Sequence, residues 1–466
     1  MTHLYIAAAH KSSGKTSISL GLTAALVNRG LSVQTYKKGP DYIDPLWLSR
    51  AAGKPCYNLD FFTQSHDEIR STFASNMANA NIGLIEGNKG LFDGVDTEGT
   101  DSNAALASML AAPVILVIDT GGITRGIAPL IQGYLGFDPR VNIVGVILNK
   151  VGGARHESKL RGALERYTDI EVLGAIGRNR SLEIPERHLG LVPANEAGAA
   201  DDTISRLAEA VKSSVNLDRV IEIANAVNSP SAPNPVQDQS PSEMPPVKIA
   251  IARDAAFGFY YPDDLNAFQQ AGAELLPFDT LSDRHLPEAD GLFIGGGFPE
   301  THLDALSDNQ SLLNEIGQAL AAGMPAYAEC GGLMYLARSI QWRDKSREMV
   351  GFVSADVIVG SRPQGRGYML VEESGNGLWS SAASNNRANS TPAHEFHYAR
   401  LENLARDPVF AHKVLRGTGI DGENDGLIIN NLLAGFAHHR NTEANPWVER
   451  FVSFVRQRKL NFANQN

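Results

Sequence analysis

Two short segments of this 466-residue chain carry side chains that could perform chemistry. The first, residues 9–16, fits the phosphate-binding loop pattern and ends in Gly14-Lys15-Thr16, although Ala9 replaces the first glycine. In such a loop, backbone N–H groups and a helix N-terminus hold phosphates, the lysine reaches the outer phosphates, and the hydroxyl can bind Mg²⁺. Because a strand pattern precedes the loop and a helical pattern follows it, the segment predicts a nucleotide site.

The second segment is Ala-Glu-Cys-Gly-Gly-Leu, residues 328–333. It follows one apolar run and precedes another, so we predict a strand, a sharp turn and a helix. A cysteine on such a turn lies beside helical N–H groups that stabilise a thiolate, which makes Cys330 the best candidate nucleophile. The alternative is a small buried thiol with no chemical role, since free cysteine often packs as a hydrophobic residue.

A cysteine that attacks an amide needs hydrogen-bond donors for the oxyanion. The apolar stretch 292–294 leads into three glycines, and glycines after a strand leave backbone N–H groups accessible. We therefore predict Gly296 and Gly297 as the oxyanion donors for an intermediate formed on Cys330. A glycine triplet alone is a weak signal, because tight turns use it as well.

The same chemistry needs a general base. Five histidines follow Cys330 in the second half of the chain, and His438 comes closely after two apolar runs that predict late strands. We predict His438 as the base, with His439 and His397 as alternatives. For each histidine taken singly, a hydrogen-bonded structural role is the competing explanation.

Charged residues follow two predicted strands of the N-terminal half. Lys37, Asp41 and Asp44 follow one strand, and Glu86 closes the next. We expect Lys37 to neutralise a transferring phosphoryl group, and Asp41 and Asp44 to hold Mg²⁺ or to steer an attacking carboxylate. At a strand end facing a phosphate loop, Glu86 is predicted to be a second metal ligand. Solvated charges in a surface turn, or a capping role for Glu86, are the alternatives.

Strands separated by helical patterns predict a doubly wound parallel sheet in the N-terminal half, with ligands at the C-terminal ends of the strands. Asn149 ends one of these strands and could read a nucleotide base. Residues 228–247 contain six prolines among polar residues, which predicts an extended linker. We therefore predict a nucleotide-dependent domain, 1–227, a linker, and a second α/β domain, 248–466.

Composition argues against several other classes of protein. The hydrophobic fraction of 43% and the charged fraction of 20% are ordinary for a globular protein. A formal net charge of -11 argues against a broad nucleic-acid surface, and two cysteines cannot form a disulfide framework. The longest apolar run, 111–118, is too short to cross a bilayer, and no signal-peptide pattern is evident. We expect a cytoplasmic protein that needs neither membrane nor nucleic acid.

Taken together, these motifs resemble those of the cobyrinic acid a,c-diamide synthase family of glutamine-dependent amidotransferases. They occur in the family's order across nearly the whole chain. The matching segments are 14–16, Lys37 with 39–44, 58–60, 86–87 with 90–94, 185–190, 259–262, 295–300, 328–336 and 394–398. The resemblance implies an N-terminal domain like dethiobiotin synthetase and a C-terminal glutamine amidotransferase domain of the triad type.

The resemblance also implies a reaction, the ATP-dependent amidation of the a and c acetate side chains of a corrin or related tetrapyrrole. Cys330 would attack the carboxamide of glutamine, His438 would shuttle the proton, and ammonia would be released. In the other domain, Mg-ATP would phosphorylate a carboxylate of the substrate, and ammonia would then displace phosphate. We also allow for a homodimer.

By position, the resemblance assigns roles to residues of the first domain. The nucleotide-binding residues are Ser13, Gly14, Lys15, Thr16, Ser17, Lys37 and Asn149. The metal ligands are Thr16, Asp41 and Glu86. The carboxylates for substrate activation are Asp41, Asp44 and Asp93.

Two departures from the family's pattern bear on substrate and mechanism. Lys38 and Lys89 stand where the family more often has apolar residues, so we hypothesise a more anionic or differently metallated substrate, such as a sirohaem or nickel-sirohydrochlorin macrocycle. Related glutaminases often have a glutamate two residues after the base, where this chain has Arg440. This difference predicts that Cys330 and His438 act as a dyad.

Two alternative functions stay open on the sequence alone. One is an amidotransferase for another carboxylate, such as the remaining side chains of cobyric acid. The other is a partitioning-type switch ATPase whose C-terminal domain only binds a partner. The second alternative predicts nucleotide turnover that does not need glutamine.

Overall fold

The structure, a computed structural model, describes residues 1–187, 190–196, 198–227, 245–379 and 390–463. The chain divides into two compact units, Met1–Val236 and Gln237–Asn466, each with its own sheet and core. The predicted linker, 228–247, lies outside the described residues except for its last three, so the predicted domain boundaries stay a prediction. In the part of the chain that is described, no helix is long and apolar enough to cross a membrane.

The first unit is built on a seven-stranded sheet in which all neighbouring strands are parallel. Its strands are β1 (His3–Ala8), β2 (Val33–Lys38), β3 (Tyr57–Leu59), β4 (Ile82–Glu86), β5 (Val114–Asp119), β6 (Ile143–Val151) and β7 (Glu171–Gly177). The strand order is β3-β2-β4-β1-β5-β6-β7, with β1 at the centre. This order places the C-terminal ends of β1, β2 and β4 side by side, where the phosphate loop begins.

Helices cover both faces of this sheet. They are α1 (Lys15–Asn28), α2 (Ile43–Ala52), α3 (His66–Met77), α4 (Asn103–Met109), α5 (Ile127–Phe137), α6 (Ala154–Tyr167), α7 (Ala200–Ser214) and α8 (Leu217–Asn225). A short hairpin, β8 (Glu186–Arg187) and β9 (Gly190–Leu191), precedes α7. Alternate residues of β1 enter two different cores, Leu4 and Ile6 on one face and Tyr5 and Ala7 on the other. The predicted doubly wound parallel sheet is therefore confirmed.

The second unit contains a nine-stranded mixed sheet and smaller sheets at its side. Its strands are β10 (Val247–Ala252), β11 (Phe257–Phe259), β12 (Ala273–Phe278), β13 (Gly291–Ile294), β14 (Gly296–Gly297), β15 (Ala326–Glu329), β16 (Ala337–Trp342), β17 (Lys345–Glu348), β18 (Val353–Val359), β19 (Gly365–Glu373), β20 (Thr391–His397), β21 (Ala399–Glu402), β22 (Val409–Arg416), β23 (Asn424–Ile429) and β24 (Leu432–Gly435). Its helices are α9 (Pro262–Gln270), α10 (Leu303–Asp308), α11 (Gln310–Ala321), α12 (Gly331–Leu336) and α13 (Trp447–Ala463).

The large sheet of the second unit has the order β12-β10-β13-β15-β24-β23-β22-β19-β20. The strands from β12 to β24 in this order are parallel, and the remaining neighbours are antiparallel. Strands β13, β15 and β24 are adjacent, so the segments that follow them meet at one edge of the sheet. These three segments carry the glycine triplet, Cys330 and His438.

The packing of α1 against α7 gives a direct test of the fold of the first unit. A Cβ atom on Gly21 in α1 would lie 2.5 Å from Cγ2 of Val211 and 2.7 Å from the carbonyl oxygen of Leu207. We expect Gly21→Ala to lower the free energy of unfolding by about 1–3 kcal/mol, because the two helices must move apart. Denaturant titration of the full chain measures this change.

Gly162 in α6 is the matched control, because it is exposed and a Cβ atom there would meet no other atom within 4 Å. Gly162→Ala should raise the free energy of unfolding by about 0.5–1 kcal/mol through helix propensity alone. Equal effects of the two substitutions would contradict the close α1–α7 contact.

Candidate active sites

Cys330 lies on the predicted sharp turn between β15 and α12. Its backbone adopts φ 48° and ψ -102°, a conformation that L-residues rarely take. The Cys330 N–H donates to the carbonyl oxygen of Gly435 at 2.7 Å, which ties the turn to β24. The helix begins at the next residue, Gly331. A strained strand-to-helix turn of this kind exposes a nucleophile to its substrate and brings helical N–H groups beside it.

The glycine triplet is packed against this turn. A Cβ atom on Gly331 would lie 2.9 Å from the nitrogen of Gly297, and one on Gly332 would lie 2.2 Å from the carbonyl oxygen of Ile294. A Cβ atom on Gly296 would lie 2.6 Å from Cε1 of His438. The lack of side chains is thus what allows the β13 loop, the cysteine turn and the histidine to approach one another.

His438 joins Cys330 to a buried carboxylate. Cys330 is close enough to raise the pKa of His438, and Nδ1 of His438 lies 3.3 Å from Oε2 of Glu329. Both His438 and Glu329 are buried. The arrangement is a cysteine, a histidine and a carboxylate in series, the order that activates a nucleophile and orients its base. The expected Cys–His dyad is therefore wrong, since the carboxylate comes from the residue before the cysteine and not from position 440.

Glu329 is held by more than one hydrogen bond. Its Oε1 accepts from the hydroxyl of Tyr327 at 2.7 Å and from the N–H of His439 at 3.0 Å. These donors fix the carboxylate, and the carboxylate fixes the ring of His438. Glu329 lies within the cysteine motif of the sequence. It was not predicted from the sequence because a carboxylate was expected two residues after His438.

A second buried carboxylate, that of Asp425, holds the backbone of the two residues that precede His438. Oδ1 and Oδ2 of Asp425, in β23, accept the N–H groups of Phe436 and Ala437, each at 3.0 Å. Burial raises the pKa of Asp425 to about 6, although these N–H donors lower it. Asp425 thus fixes the segment after β24, which carries His438.

The charge of His438 follows from its partners. Burial lowers the pKa of His438, but its hydrogen bonds to Cys330 and Glu329 and their charges outweigh burial and raise the pKa to about 10. A protonated imidazole beside the thiol stabilises a thiolate. His438 is thus held as a charged partner beside Cys330.

The two alternative histidines have other surroundings. The ring of His397 stacks on Phe436 with centroids 4.0 Å apart, and its Nδ1 lies 2.8 Å from the carbonyl oxygen of Ala399. The pKa of His439 is held well below its usual range by burial and by the nearby His412. His438 is thus the histidine that the structure brings to Cys330.

One further histidine was not assigned from the sequence. The ring of His394 stacks on that of His438 with centroids 4.8 Å apart, and the two residues exchange backbone hydrogen bonds of 2.8 and 3.2 Å. The Nδ1 of His394 lies 3.2 Å from the hydroxyl of Tyr261. Burial and the neighbouring His438 keep the pKa of His394 well below its usual range, so it packs against His438 as a neutral ring.

In the first unit, Lys37 is the centre of a buried charge cluster. Its Nζ lies 2.5 Å from Oδ2 of Asp44, 2.7 Å from Oε1 of Glu86 and 3.7 Å from Oδ2 of Asp41. The Thr16 hydroxyl of the phosphate loop donates to Oε1 of Glu86 at 2.9 Å. The structure thus brings together five of the predicted residues at the ends of β2, β4 and the loop.

These charges shift one another's pKa values. Burial lowers the pKa of Lys37, but the carboxylates of Asp44, Glu86 and Asp41 outweigh burial and raise it well above its usual range. Burial raises the pKa of Asp44, but the ion pair with Lys37 lowers it overall. Burial and the adjacent Asp44 charge raise the pKa of Asp41. Burial and the Lys37 charge lower the pKa of Lys15.

The donor set at the loop suits Mg²⁺. Oε2 of Glu86 is fully buried and has no hydrogen-bond partner in the described ranges, and Thr16 lies against the other oxygen. No group of three or more Asp, Glu, His or Cys side chains in that same part of the chain is already arranged around a metal position. Mg²⁺ commonly takes only one or two carboxylates and completes its shell with phosphates and water, so Thr16 and Glu86 fit such an ion.

Three of the predicted residues of the first unit have local roles. Oδ2 of Asp93 accepts the N–H of Gly90 at 2.9 Å and so holds its own loop. The hydroxyl of Ser13 donates to the carbonyl oxygen of His10 at 2.8 Å. Ser17 lies in the first turn of α1, immediately after Thr16. None of these contacts excludes the predicted roles, which stay predictions.

Asn149 supports the phosphate loop directly. Its Nδ2 donates to the carbonyl oxygen of Ser13 at 2.9 Å. Gly14 has a φ of 82°, and a Cβ atom there would lie 2.1 Å from the same Nδ2, so glycine is required on both counts. In this structure the amide of Asn149 thus positions the loop, and base recognition by Asn149 stays a prediction.

A groove of about 580 Å³ opens at the C-terminal ends of β5, β6 and β7. Lys150 lies in its lining, and its Nζ contacts the carbonyl oxygen of Ser12 at 2.9 Å and Oδ2 of Asp119 at 2.8 Å. The groove therefore adjoins the phosphate loop. Its volume is in the range of small-molecule sites in proteins.

Comparison with known proteins agrees with this architecture. Residues 4–192 match the CobQ/CobB/MinD/ParA nucleotide binding domain, and residues 248–446 match the CobB/CobQ-like glutamine amidotransferase domain. A relative from Magnetococcus marinus, named cobyrinate a,c-diamide synthase, is 44% identical over 98% of this chain and 97% of its own length. Relatives of the same name from Methanosarcina acetivorans and Archaeoglobus fulgidus are each 39% identical, over 93% and 97% of this chain and 91% and 97% of their own lengths.

The fold and the two sites define an ATP-dependent glutamine amidotransferase, a ligase that forms carbon–nitrogen bonds. The chain belongs to the cobyrinate a,c-diamide synthase family. The predicted family and enzyme class are confirmed, and the alternative of a partitioning-type ATPase with a non-catalytic C-terminal domain is set aside.

The Glu329–His438 contact predicts how Cys330 reacts with an alkylating agent. Glu329→Gln removes a charge that raises the pKa of His438, so the imidazolium and its paired thiolate become less favoured. We expect the rate of Cys330 alkylation by iodoacetamide at pH 7 to fall about 10–100-fold, since a hydrogen bond to a charged group contributes roughly 1.5–3 kcal/mol.

Cys56 is the internal control for this experiment. It is fully buried, and burial raises its pKa, so it should stay unmodified in both proteins. Peptide mass spectrometry distinguishes the two thiols. Equal alkylation rates for the wild type and Glu329→Gln would show that the carboxylate does not act through His438.

Proposed function

We propose that this protein amidates the a and c acetate carboxylates of cobyrinate, with ATP and glutamine as cosubstrates and acyl phosphates as intermediates. The observation that carries this proposal is the Lys37 cluster, in which a buried ammonium group and carboxylates face a phosphate loop. A carboxylate is a poor electrophile, and its phosphorylation at such a site makes it a good one. The names of the curated relatives support cobyrinate as the substrate.

The second unit would supply ammonia. Sγ of Cys330 attacks the carboxamide carbon of glutamine, and backbone N–H groups of Gly296 and Gly297 stabilise the oxyanion. His438 gives a proton to the departing nitrogen, which leaves as ammonia and breaks the carbon–nitrogen bond. Water then attacks the thioester with His438 as base, and glutamate and the free thiol are regenerated.

The first unit would consume ammonia. An oxygen of the substrate carboxylate attacks the γ-phosphorus of ATP and displaces ADP, while Lys15 and Lys37 neutralise charge on the transferring group. Ammonia then attacks the acyl carbon, phosphate leaves, and loss of a proton gives the amide. Asp41, Asp44 and Asp93 are the carboxylates proposed to steer the substrate and the nucleophile. Bound Mg²⁺, held by Thr16 and Glu86 and with Asp41 as a further proposed ligand, would supply charge neutralisation for the phosphates.

The substrate is tested by mass spectrometry of the macrocycle. Purified protein is incubated with Mg-ATP, glutamine and, in separate reactions, cobyrinate, hydrogenobyrinate, sirohaem or nickel-sirohydrochlorin. The proposal expects two successive carboxyl-to-carboxamide mass changes on cobyrinate. Conversion of a sirohaem-type macrocycle without conversion of cobyrinate would overturn it. The same preparation tests the proposed homodimer by sedimentation.

Replacement of the nucleophile should separate the two half-reactions. We expect Cys330→Ala to abolish amidation with glutamine, because no thioester can form, and to leave amidation with ammonium salts within about twofold of the wild type. The measurement is the rate of diamide formation with each nitrogen source. Loss of activity with both sources, in a variant that still binds ATP, would contradict the two-site scheme.

Replacement of the proposed metal ligand should have the opposite pattern. Glu86→Gln should lower ATP-dependent amidation about 10–100-fold, as loss of groups that support a metal site does, and should leave basal glutaminase activity unchanged. Glu98→Gln, at an exposed position in the following loop, is the matched control. Wild-type ATP turnover in Glu86→Gln would rule out the metal role.

A further inference from the structure

Lys38 is a buried lysine that the proposed mechanism does not use. It is the last residue of β2, and only 4% of its surface is exposed. Among the described residues, its side chain makes no hydrogen bond and no ion pair within 4.0 Å. Burial of an unpaired charge is costly, so such a lysine is expected to have an anionic partner when the protein is working.

Lys38 and Lys37 lie on opposite faces of the strand end. Successive side chains of a strand alternate between its two faces. Lys37 is directed to Glu86 and Asp44, whereas the charges that act on Lys38 include those of Asp60, Asp101 and Lys89. An anion bound at Lys38 is therefore a different group from the one that Lys37 contacts.

The carboxylates near Lys38 have other partners. Asp60 accepts hydrogen bonds from the Thr63 hydroxyl at 2.9 Å and from the N–H of Phe62 at 3.3 Å. Asp101 accepts the N–H of Val95 at 2.7 Å. Both carboxylates thus support local backbone, and neither reaches the ammonium group of Lys38.

Lys89 lies on the loop after β4, and its charge acts on Lys38. It is exposed and has a φ of 39°, an unfavourable conformation for a residue with a side chain. Asn103, which is buried, holds the backbone on either side: it accepts from the N–H of Asn88 at 2.9 Å and donates to the carbonyl oxygens of Asn88 at 2.5 Å and Gly90 at 2.6 Å. The loop is therefore built to keep Lys89 in place.

We propose that Lys38 and Lys89 form a second anion site, which binds a carboxylate of the macrocycle other than the one being phosphorylated. The inference rests on the proposed function, because it needs a substrate with several carboxylates. A ring held by one carboxylate at Lys38 presents another toward Lys37 and the phosphate loop. The pair thus determines which acetate reacts and how tightly the macrocycle binds.

The test is equilibrium dialysis of cobyrinate against the full-length protein without ATP, with detection by the visible absorption of the macrocycle. Lys38→Met, which keeps the length of the side chain and removes its charge, should raise the Kd about 10–100-fold. Lys38→Arg should stay within about threefold of the wild type. Lys89→Met, at an exposed position, should raise the Kd about two- to fivefold.

Lys159→Met, an exposed substitution in α6, is the matched control and should leave the Kd unchanged. The KM for ATP and the basal glutaminase activity should be unchanged in all these variants. Partly amidated cobyrinate fractions provide a second readout, because the effect of Lys38→Met should vanish on a ring whose bound carboxylate is already an amide.

A Kd for Lys38→Met within twofold of the wild type, with ATP binding intact, would overturn the inference. So would equal losses of ATP and macrocycle binding, which would indicate a structural role. If Lys38→Met does not fold, an unchanged Kd for Lys89→Met overturns the paired site. If the wild type amidates cobyrinate, any of these results overturns the anion site but leaves the proposed function in place. If the wild type amidates no macrocycle, both the proposed function and the anion site are overturned.

Discussion

The ammonium group of Lys37, held between Glu86 and Asp44 away from water, is the interaction on which the first unit's site depends. Lys37 and Glu86 belong to neighbouring parallel strands, and their Cα atoms are directly paired in register. Removal of one partner from a buried ion pair commonly costs roughly 3–5 kcal/mol, because the other charge is left uncompensated. The sheet register, the charge pair and the position of Thr16 are therefore coupled, and a shift in one displaces the others.

The second unit also stabilises a buried charge, that of Glu329, but with a different set of groups. Glu329 is buried, and its two oxygens are shared among Tyr327, His438 and the backbone of His439. The carboxylate therefore orients His438 and ties β15 to the segment after β24. In both units a buried charge is stabilised by the hydrogen bonds and opposite charges of its neighbours.

Local sequence patterns predicted much of this structure. Apolar runs located β1, β4, β13 and β15, and the glycines after Cys330 located the turn into α12. Strand length, burial and turn chemistry are local properties of the sequence. The parallel order of the strands then places Lys37, Glu86 and the phosphate loop at one edge of the sheet. The order of the parallel strands was therefore enough to predict that these residues lie close together. In the structure, Glu86 contacts both Lys37 and Thr16.

Contacts that depend on the direction of a side chain could not be predicted from the sequence. Glu329 precedes Cys330 in the sequence, but its contact with His438 requires the positive φ of Cys330 and the β15–β24 pairing, neither of which is a local signal. Asn149 ends its strand where a base could lie, yet its amide is used by the Ser13 carbonyl. In both cases the sequence places the residue near the site, but its hydrogen-bond partner is determined by the tertiary fold.

The end of β2 shows how two adjacent lysines can serve separate purposes. A strand alternates its side chains strictly, so a register shift of one residue would exchange Lys37 and Lys38 and bring the wrong ammonium group to Glu86. Pairing of Tyr36 with Ile85 in the buried core prevents such a shift. The Lys37 cluster is thus fixed on one face of the strand end, while Lys38 lies on the other face. A substitution of Lys38 should therefore leave the contacts of Lys37 with Glu86 and Asp44 in place.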